Sequence, residues 1–153
     1  MADLVHATRT TILDGAQGGS NGVTIKMAAP AFRIALRARP EAVEALSQAL
    51  DIALPTRPKS SATSGLRSAL WIGPDEWLVI DQGESDLMAA LSNVSGLYSA
   101  TDVSHRNTAV IVSGTNAATA INAGCPQDLS LEIFPVGACS RTLLGKAEVV
   151  LLR

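Results

Sequence analysis

Leu70-Trp71-Ile72-Gly73-Pro74-Asp75-Glu76-Trp77-Leu78-Val79-Ile80 decides the reading of this chain. Two apolar runs flank a Gly-Pro-Asp-Glu link. Proline presets the second position of a tight turn, and aspartate and glycine tolerate the bends beside it. The stretch therefore predicts a β-hairpin from about residue 69 to residue 81. Aromatic residues are only 3% of the sequence, yet both tryptophans, Trp71 and Trp77, stand here. Each indole buries ~150–250 Å² and needs a partner for its N–H. The hairpin is thus either the densest part of a core or the anchor of a docking surface.

Upstream, Phe32-Arg33-Ile34-Ala35-Leu36-Arg37 alternates. It predicts a strand with Phe32, Ile34 and Leu36 on one face and Arg33 and Arg37 outward. Pro40 suits the first turn of a helix, and Val43, Leu46 and Leu50 recur at helical spacing up to about Asp51. Pro55, Pro58 and residues 59–65 read as a polar loop. Residues 1–30 are expected to be a flexible lead-in, with a glycine-rich loop and a short edge strand at Val23-Thr24-Ile25.

Downstream, Gln82-Gly83-Glu84-Ser85 turns the chain into a short helix with Leu87, Met88 and Leu91 as its stripe. Residues 98–103 read as a weak strand and Ala109-Val110-Ile111-Val112 as a strong short one. Thr115 or Asn116 can cap a helix carrying Ala117, Ala120 and Ile121, which Gly124, Cys125 and Pro126 stop. Residues 140–144 and 148–152 form a last hairpin across Gly145-Lys146-Ala147.

This order repeats. Strand, helix, loop and hairpin fill residues 32–81 and again 108–152. Ala42, Ala45 and Leu46 lie over Ala117, Ala120 and Ile121, and Gly73 lies over Gly145. The expected fold is α+β: duplicated β-α-β-β units forming antiparallel or mixed sheets with helices packed on them. One domain is expected over residues 31–153, with halves of about 31–97 and 98–153. Each unit is too small to close a core alone.

At 153 residues, 47% of them hydrophobic and 17% charged, the chain can bury a sizeable core. The mean hydropathy is above zero, yet no apolar run approaches the ~20 residues that cross a bilayer. The excess reads as surface that a partner covers or as alanine-rich helices. A net charge of −2 without a basic stripe argues against nucleic acid. Met-Ala-Asp-Leu-Val-His is not expected to open a secretory signal. Cys125 and Cys139 form no Cys-x-x-Cys pair, and buried reduced thiols of a cytoplasmic protein are expected.

Thr101-Asp102-Val103-Ser104-His105-Arg106 is the most reactive-looking cluster. On one strand, Asp102 and Ser104 point one way and His105 the other, so no Ser-His-Asp triad can form within it. A strand-end polar network is expected instead, with Arg106 paired to a carboxylate, or a contact with a partner. His6 is isolated. Two histidines without a cysteine pair make a poor zinc set. No dinucleotide or P-loop fingerprint occurs, and Gly18-Gly19-Ser20-Asn21-Gly22 has no strand–helix frame around it. Cys139 reads as a packed thiol, and Asp75 and Glu76 as exposed turn acids.

Four segments together resemble the gamma subunit of heterotetrameric sarcosine oxidase. They are 69–78, Asp102-Val103-Ser104-His105-Arg106, Gly124-Cys125-Pro126-Gln127-Asp128-Leu129, and the run from Phe134-Pro135-Val136-Gly137 to Leu144-Gly145-Lys146. The resemblance runs in order over about residues 31–153. It implies a cytoplasmic bacterial complex of alpha, beta, gamma and delta subunits that oxidatively demethylates sarcosine to glycine. FAD, FMN, NAD and tetrahydrofolate are implied on the partner subunits, with none in this chain and no catalytic residue to carry over. Asp102-Val103-Ser104-His105, Ser113-Gly114, Ala117 and Asp128 are also similar to the folate-binding domain of the glycine-cleavage T-protein, which implies the same duplicated fold. That family's later Asp-Asp motif has no counterpart in this sequence.

The expectation is a non-catalytic subunit that stabilises assembly of flavin-bearing partners and self-associates when isolated. Trp71, Pro74, Asp75, Trp77, Asp102, His105 and Arg106 are the candidate interface residues, with no catalytic, cofactor or metal residue. The competing readings are a stand-alone module for tetrahydrofolate or another small ligand, and an independent enzyme.

Overall fold

The computed structural model describes residues 15–153. In chain order the elements are β1 (Gln17–Gly18), β2 (Thr24–Met27), β3 (Phe32–Ala38), α1 (Val43–Ala49), β4 (Ser61–Ser64), β5 (Arg67–Gly73) and β6 (Glu76–Asp81). There follow α2 (Leu87–Ser92), β7 (Tyr98–Asp102), β8 (Val110–Ser113), α3 (Ala117–Asn122), β9 (Cys139–Leu144) and β10 (Ala147–Leu152). The architecture is α+β with antiparallel sheets.

The central sheet has the order β4-β5-β6-β3-β7. Alternation sorts its side chains onto two faces. Ile34, Leu36, Ala69, Trp77 and Val79 share one face and pack under Leu46 and Leu50 of the first helical segment and Leu87 and Leu91 of α2. Leu70 and Leu78 lie on the other face, where they meet Cys139 and Val150 of the β9–β10 hairpin. The two hairpins thus sandwich a second, smaller core. A third cluster, Leu129, Phe134 and Ala138 with Ala118, Ile121 and Leu151, covers the outer face of β9–β10. Each fully buried aliphatic side chain contributes ~1.5–3 kcal/mol.

Local chemistry explains the boundaries. Pro40 starts a 3-10 turn that runs into α1. Asp51 leaves the helix at φ 49°, a left-handed position that aspartate tolerates. The carboxylate of Asp86 caps α2 by accepting from the Ala89 N–H at 2.9 Å. In the tryptophan hairpin, Pro74 and Asp75 (φ 56°) carry the turn, which is the proline-then-positive-φ pattern of type II. Trp71 stands opposite Trp77, with a register shift between Trp71 and Gly73.

Several expectations need correction. The polar stretch 59–65 contains β4, because edge pairing to β5 uses backbone groups and needs no apolar side chain. Order begins before Ala31: β2 pairs with β8, from Thr24 opposite Ser113 to Met27 opposite Val110. The first fourteen residues of the lead-in, His6 among them, lie outside the described residues. Arg33 is buried rather than outward. The overlay of Gly73 on Gly145 is not geometric either. Gly73 ends a strand, whereas Gly145 (φ 60°) lies in the turn that joins Leu144 to Ala147.

The second region is assembled differently from the first. β3 is paired on both edges, by β6 and β7. Among the described residues, β8 is paired only with β2, and β10 only with β9. Gly114 (φ 113°) makes the β2–β8 approach possible, since a Cβ there would lie 2.1 Å from the Gly22 carbonyl oxygen.

Candidate functional site

The seven candidate interface residues do not form one patch with equal access. Trp77 is a core residue at 3% exposure, and its indole N–H donates to the Pro55 carbonyl at 2.7 Å. It is committed to the interior and has no surface left for a partner. Trp71 is half-buried against the same core. Pro74 and Asp75 are exposed at the turn, and Asp102, His105 and Arg106 are exposed at the strand end.

That strand end is a polar network, as its residue types predict. Asp102 Oδ1 accepts from the Ser104 N–H at 2.8 Å and from its hydroxyl at 2.5 Å. The Ser104 oxygen in turn accepts the Arg33 backbone N–H at 2.9 Å. Ser104 is buried, which fastens the turn after β7 to β3. Arg106 has no carboxylate partner among the described residues. The tight turn, in which the N–H groups of Arg106 and Asn107 both donate to the Val103 carbonyl, presents its side chain to solvent instead.

Two buried charges were not foreseen. The Arg33 guanidinium donates to the carbonyls of Ala31 (3.1 Å) and Asn107 (3.3 Å), and burial holds it below its ordinary pKa. Asp81, 2% exposed, receives Arg67 Nη2 at 3.1 Å and the Gly83 N–H at 3.0 Å. Arg67 also donates to the Leu50 carbonyl, where a cation suits the end of α1. The signal was in the parity: Trp77, Val79 and Asp81 share one face, so Asp81 had to enter the core side and needed a cation.

Arg33 and Asp81 are thus each taken up by internal partners. Two shallow open depressions, of about 270 and 220 Å³, lie along Gly15–Gln17 with 26–30 and along Pro30–Phe32 with Asp81, Gly83 and Ser104. Among the described residues no three of His, Cys, Asp and Glu converge, and no helix is long and apolar enough to cross a membrane. Both cysteines are free and buried. Cys139 Sγ faces the carbonyls of Ser60 (3.1 Å) and Trp71 (3.2 Å), and burial pushes its thiol above the ordinary value.

The conspicuous surface is apolar and lies elsewhere. Val110 (49%), Ile111 (54%), Ile133 (60%), Val136 (82%), Leu143 (50%) and Leu152 (46%) are exposed. These six belong to the region after β7; Ile25 (41%), Leu66 (64%) and Leu97 (67%), which precede β7, are exposed as well. Sequence reasoning missed Val110, Ile111, Leu143 and Leu152 because strong strand formers read as core, and Ile133 and Val136 because they lie in the irregular segment before β9.

Comparison with known proteins fits this picture. A family model described as the sarcosine oxidase gamma subunit family matches residues 35–153. The chain belongs to that family. Curated relatives named sarcosine oxidase subunit gamma include one from Arthrobacter sp., 33% identical over 146 residues, covering 90% of this chain and 71% of the relative. Another, from Corynebacterium sp. (strain U-96), is 30% identical over 141 residues, covering 88% and 68%. A chain in the structure of heterotetrameric sarcosine oxidase from Corynebacterium sp. U-96 in complex with pyrrole 2-carboxylate superposes with a TM-score of 0.82 at 27% identity. That match covers 92% of this chain and 75% of the other. The gamma subunit family is thus matched over the tryptophan hairpin, the Asp102–Ser104 network and the final hairpin together.

Proposed function

We propose that this chain is a non-catalytic gamma subunit of a heterotetrameric sarcosine oxidase and that it stabilises assembly of the flavin-bearing subunits. The observation that carries the reading is the apolar surface of the region after β7, together with membership of the gamma subunit family. Exposed apolar side chains of this size are what a specific interface of ~1,200 Å² or more buries. In this reading alpha, beta and delta chains are the partners. FAD, FMN, NAD and tetrahydrofolate sit on them, and the complex works in the cytoplasm. Pro74, Asp75 and Trp71 at one end and Asp102, His105 and Arg106 at another are rim contacts.

The finer fold reading belongs to the same proposal. The recurrence of strand, helix and hairpin supports a duplicated domain over residues 31–153, akin to the folate-binding domain of the T-protein. Its buried Asp81 and Arg33 are used internally, so folate turnover is assigned to the partners. Co-expression tests the proposal. The chain is expected to co-purify with the large subunits, and leaving it out is expected to lower flavin retention and sarcosine turnover. Unchanged assembly and turnover without it would remove the reading.

A further inference from the structure

We propose that Asn21-Gly22 is a site of spontaneous covalent modification, where the backbone converts asparagine to isoaspartate and so releases the clasp between the β1–β2 turn and α3. The inference is independent of the assembly role proposed above.

The sequence singles out the site. The chain has five asparagines, and only Asn21 is followed by glycine. A side chain screens the backbone nitrogen of its own residue; Gly22 has none, so its nitrogen stays open to approach. Ser20-Asn21-Gly22-Val23 forms the turn between β1 and β2, with the Val23 N–H donating to the Ser20 carbonyl at 3.0 Å. Asn21 (φ 51°) and Gly22 (φ 78°) both take left-handed backbone, the type I′ pattern. Both residues are exposed. Among the described residues, no hydrogen bond holds the Asn21 side-chain amide or the Gly22 N–H. The turn opposes the rotation that brings this nitrogen onto the side chain. It is restrained on one side only by β1, which is two residues long, so it opens locally at low cost.

The reaction needs no co-reactant but water. The Gly22 nitrogen gives up its proton and attacks Asn21 Cγ. A Cγ–N bond forms, the Cγ–Nδ2 bond breaks, and ammonia leaves carrying a proton. Water then opens the cyclic imide. Entry at Cγ gives aspartate on the original main chain. Entry at the main-chain carbonyl carbon gives isoaspartate, whose main chain runs through Cβ and Cγ and is longer by a methylene. Nothing is oxidised or reduced.

The surroundings make that methylene matter. The Asn116 side-chain amide donates to the Asn21 carbonyl at 2.6 Å, and the Asn116 backbone N–H donates to the Gly22 carbonyl at 3.2 Å. A Cβ on Gly22 would lie 2.7 Å from Thr115 Oγ1, and a Cβ on Gly114 would lie 2.1 Å from the Gly22 carbonyl oxygen. The turn is thus pressed against the segment that joins β8 to α3, with no room for a further carbon. In isoaspartate the Asn21 carbonyl becomes a carboxylate off the main chain, and Gly22 is displaced. Asn116 then loses both acceptors, and the end of β8 at Ser113, opposite Thr24, loses its fastening.

Ageing the folded chain in mildly alkaline buffer, followed by peptide mapping and isoaspartyl methyltransferase labelling, tests this. Isoaspartate should accumulate at Asn21 roughly tenfold faster than at Asn93, Asn107, Asn116 or Asn122, which all precede residues with a side chain. Ile111 and Ser113 bond to β2 by the antiparallel alternation that starts at Ala109. In the aged fraction their amides should exchange roughly tenfold faster, while those of Ile34 and Val79 stay unchanged. Asn21→Gly tolerates the left-handed turn, has no side chain to attack, and should keep the fresh-chain exchange pattern through the same ageing. Asn21→Asp carries the new charge on an unlengthened main chain and should start with that same pattern. Conversion at Asn21 no faster than at the other asparagines overturns the site. Conversion that leaves Ile111 and Ser113 protected, or ageing that loosens Asn21→Gly equally, overturns the release.

Discussion

Residues 32–81 and residues 110–152 carry the same succession of strand, helix and hairpin, yet they treat their apolar surface in opposite ways. In the first, Leu46 and Leu50 are wholly buried and β3 is hydrogen-bonded on both sides. In the second, α3 buries no residue fully, and among the described residues β8 and β10 each pair on one side only. The difference starts with side-chain size. Val43, Leu46 and Leu50 reach a sheet. Ala117, Ala120 and Ile121 leave only Ile121 to do so, with Ala118 beside it and Ala120 exposed. The first region therefore closes the larger core, and the second closes only the small cluster of Leu129, Phe134 and Ala138 and leaves more of its apolar side chains exposed.

The sharpest way to break that comparison is to truncate corresponding positions. Leu46→Ala should cost about 4 kcal/mol in urea unfolding of the free chain, because a fully buried leucine leaves a cavity. Ile121→Ala should cost about 1 kcal/mol, because its site is already half open to water. Equal costs would mean that the second region is as well packed as the first, and the contrast would fall.

The buried charges of the first region come next. Asp81→Ala leaves Arg67 without its carboxylate at a site where Asp81 is 2% exposed, and about 3 kcal/mol should be lost. The double variant Arg67→Met, Asp81→Leu should regain most of it, since two apolar groups need no partner. A double variant as unstable as the single one would show that Arg67 acts chiefly through the Leu50 carbonyl.

Those residues also mark what the sequence could and could not convey. The tryptophan hairpin, the β3 alternation, the helices and the last hairpin were legible, because apolar period and turn chemistry agree there. β4 was not, because a Ser-Ala-Thr-Ser edge strand is specified by the neighbour that it pairs with. The burial of Arg33 and Ser104 was hidden for a similar reason. Both lie at a strand end that only the return of the chain through Asn107 covers. Leu129 and Phe134, buried in an irregular segment, depend on Arg153, whose guanidinium donates to the carbonyls of Leu129 (2.9 Å) and Phe134 (2.7 Å). Of the candidate interface, sequence reasoning found the turn and the strand end and took Trp77 with them. It passed over β8, whose openness is a property of the sheet order.

Cys139 probes the layer between the two regions, where β9 meets β5. Burial raises its folded-state pKa, so the folded chain keeps the proton longer than the unfolded chain does. The contribution is complete below the unfolded thiol value of about 8.5 and is lost as pH climbs from there through the raised folded value. Relative to Cys139→Ala, wild-type stability should therefore decline by at most about 1.4 kcal/mol per pH unit over that range. Parallel pH profiles would mean that the layer admits water and that the two hairpins are not sealed against each other.

The weakest tie is the ion pair of Arg141 on β9 with Glu76 on β6, 2.6 Å apart. It joins the two hairpins, but its side chains are 36% and 26% exposed, so water and salt screen it. A double-mutant cycle with Arg141→Ala and Glu76→Ala should return a coupling below about 1 kcal/mol, shrinking further at high salt. A coupling of several kcal/mol would relocate the bond between the regions from the apolar layer of Leu70, Leu78, Cys139 and Val150 to a surface charge pair. The second region would then be held by a contact that salt or a partner's charge could release. A small coupling leaves that apolar layer as the joint between the two hairpins.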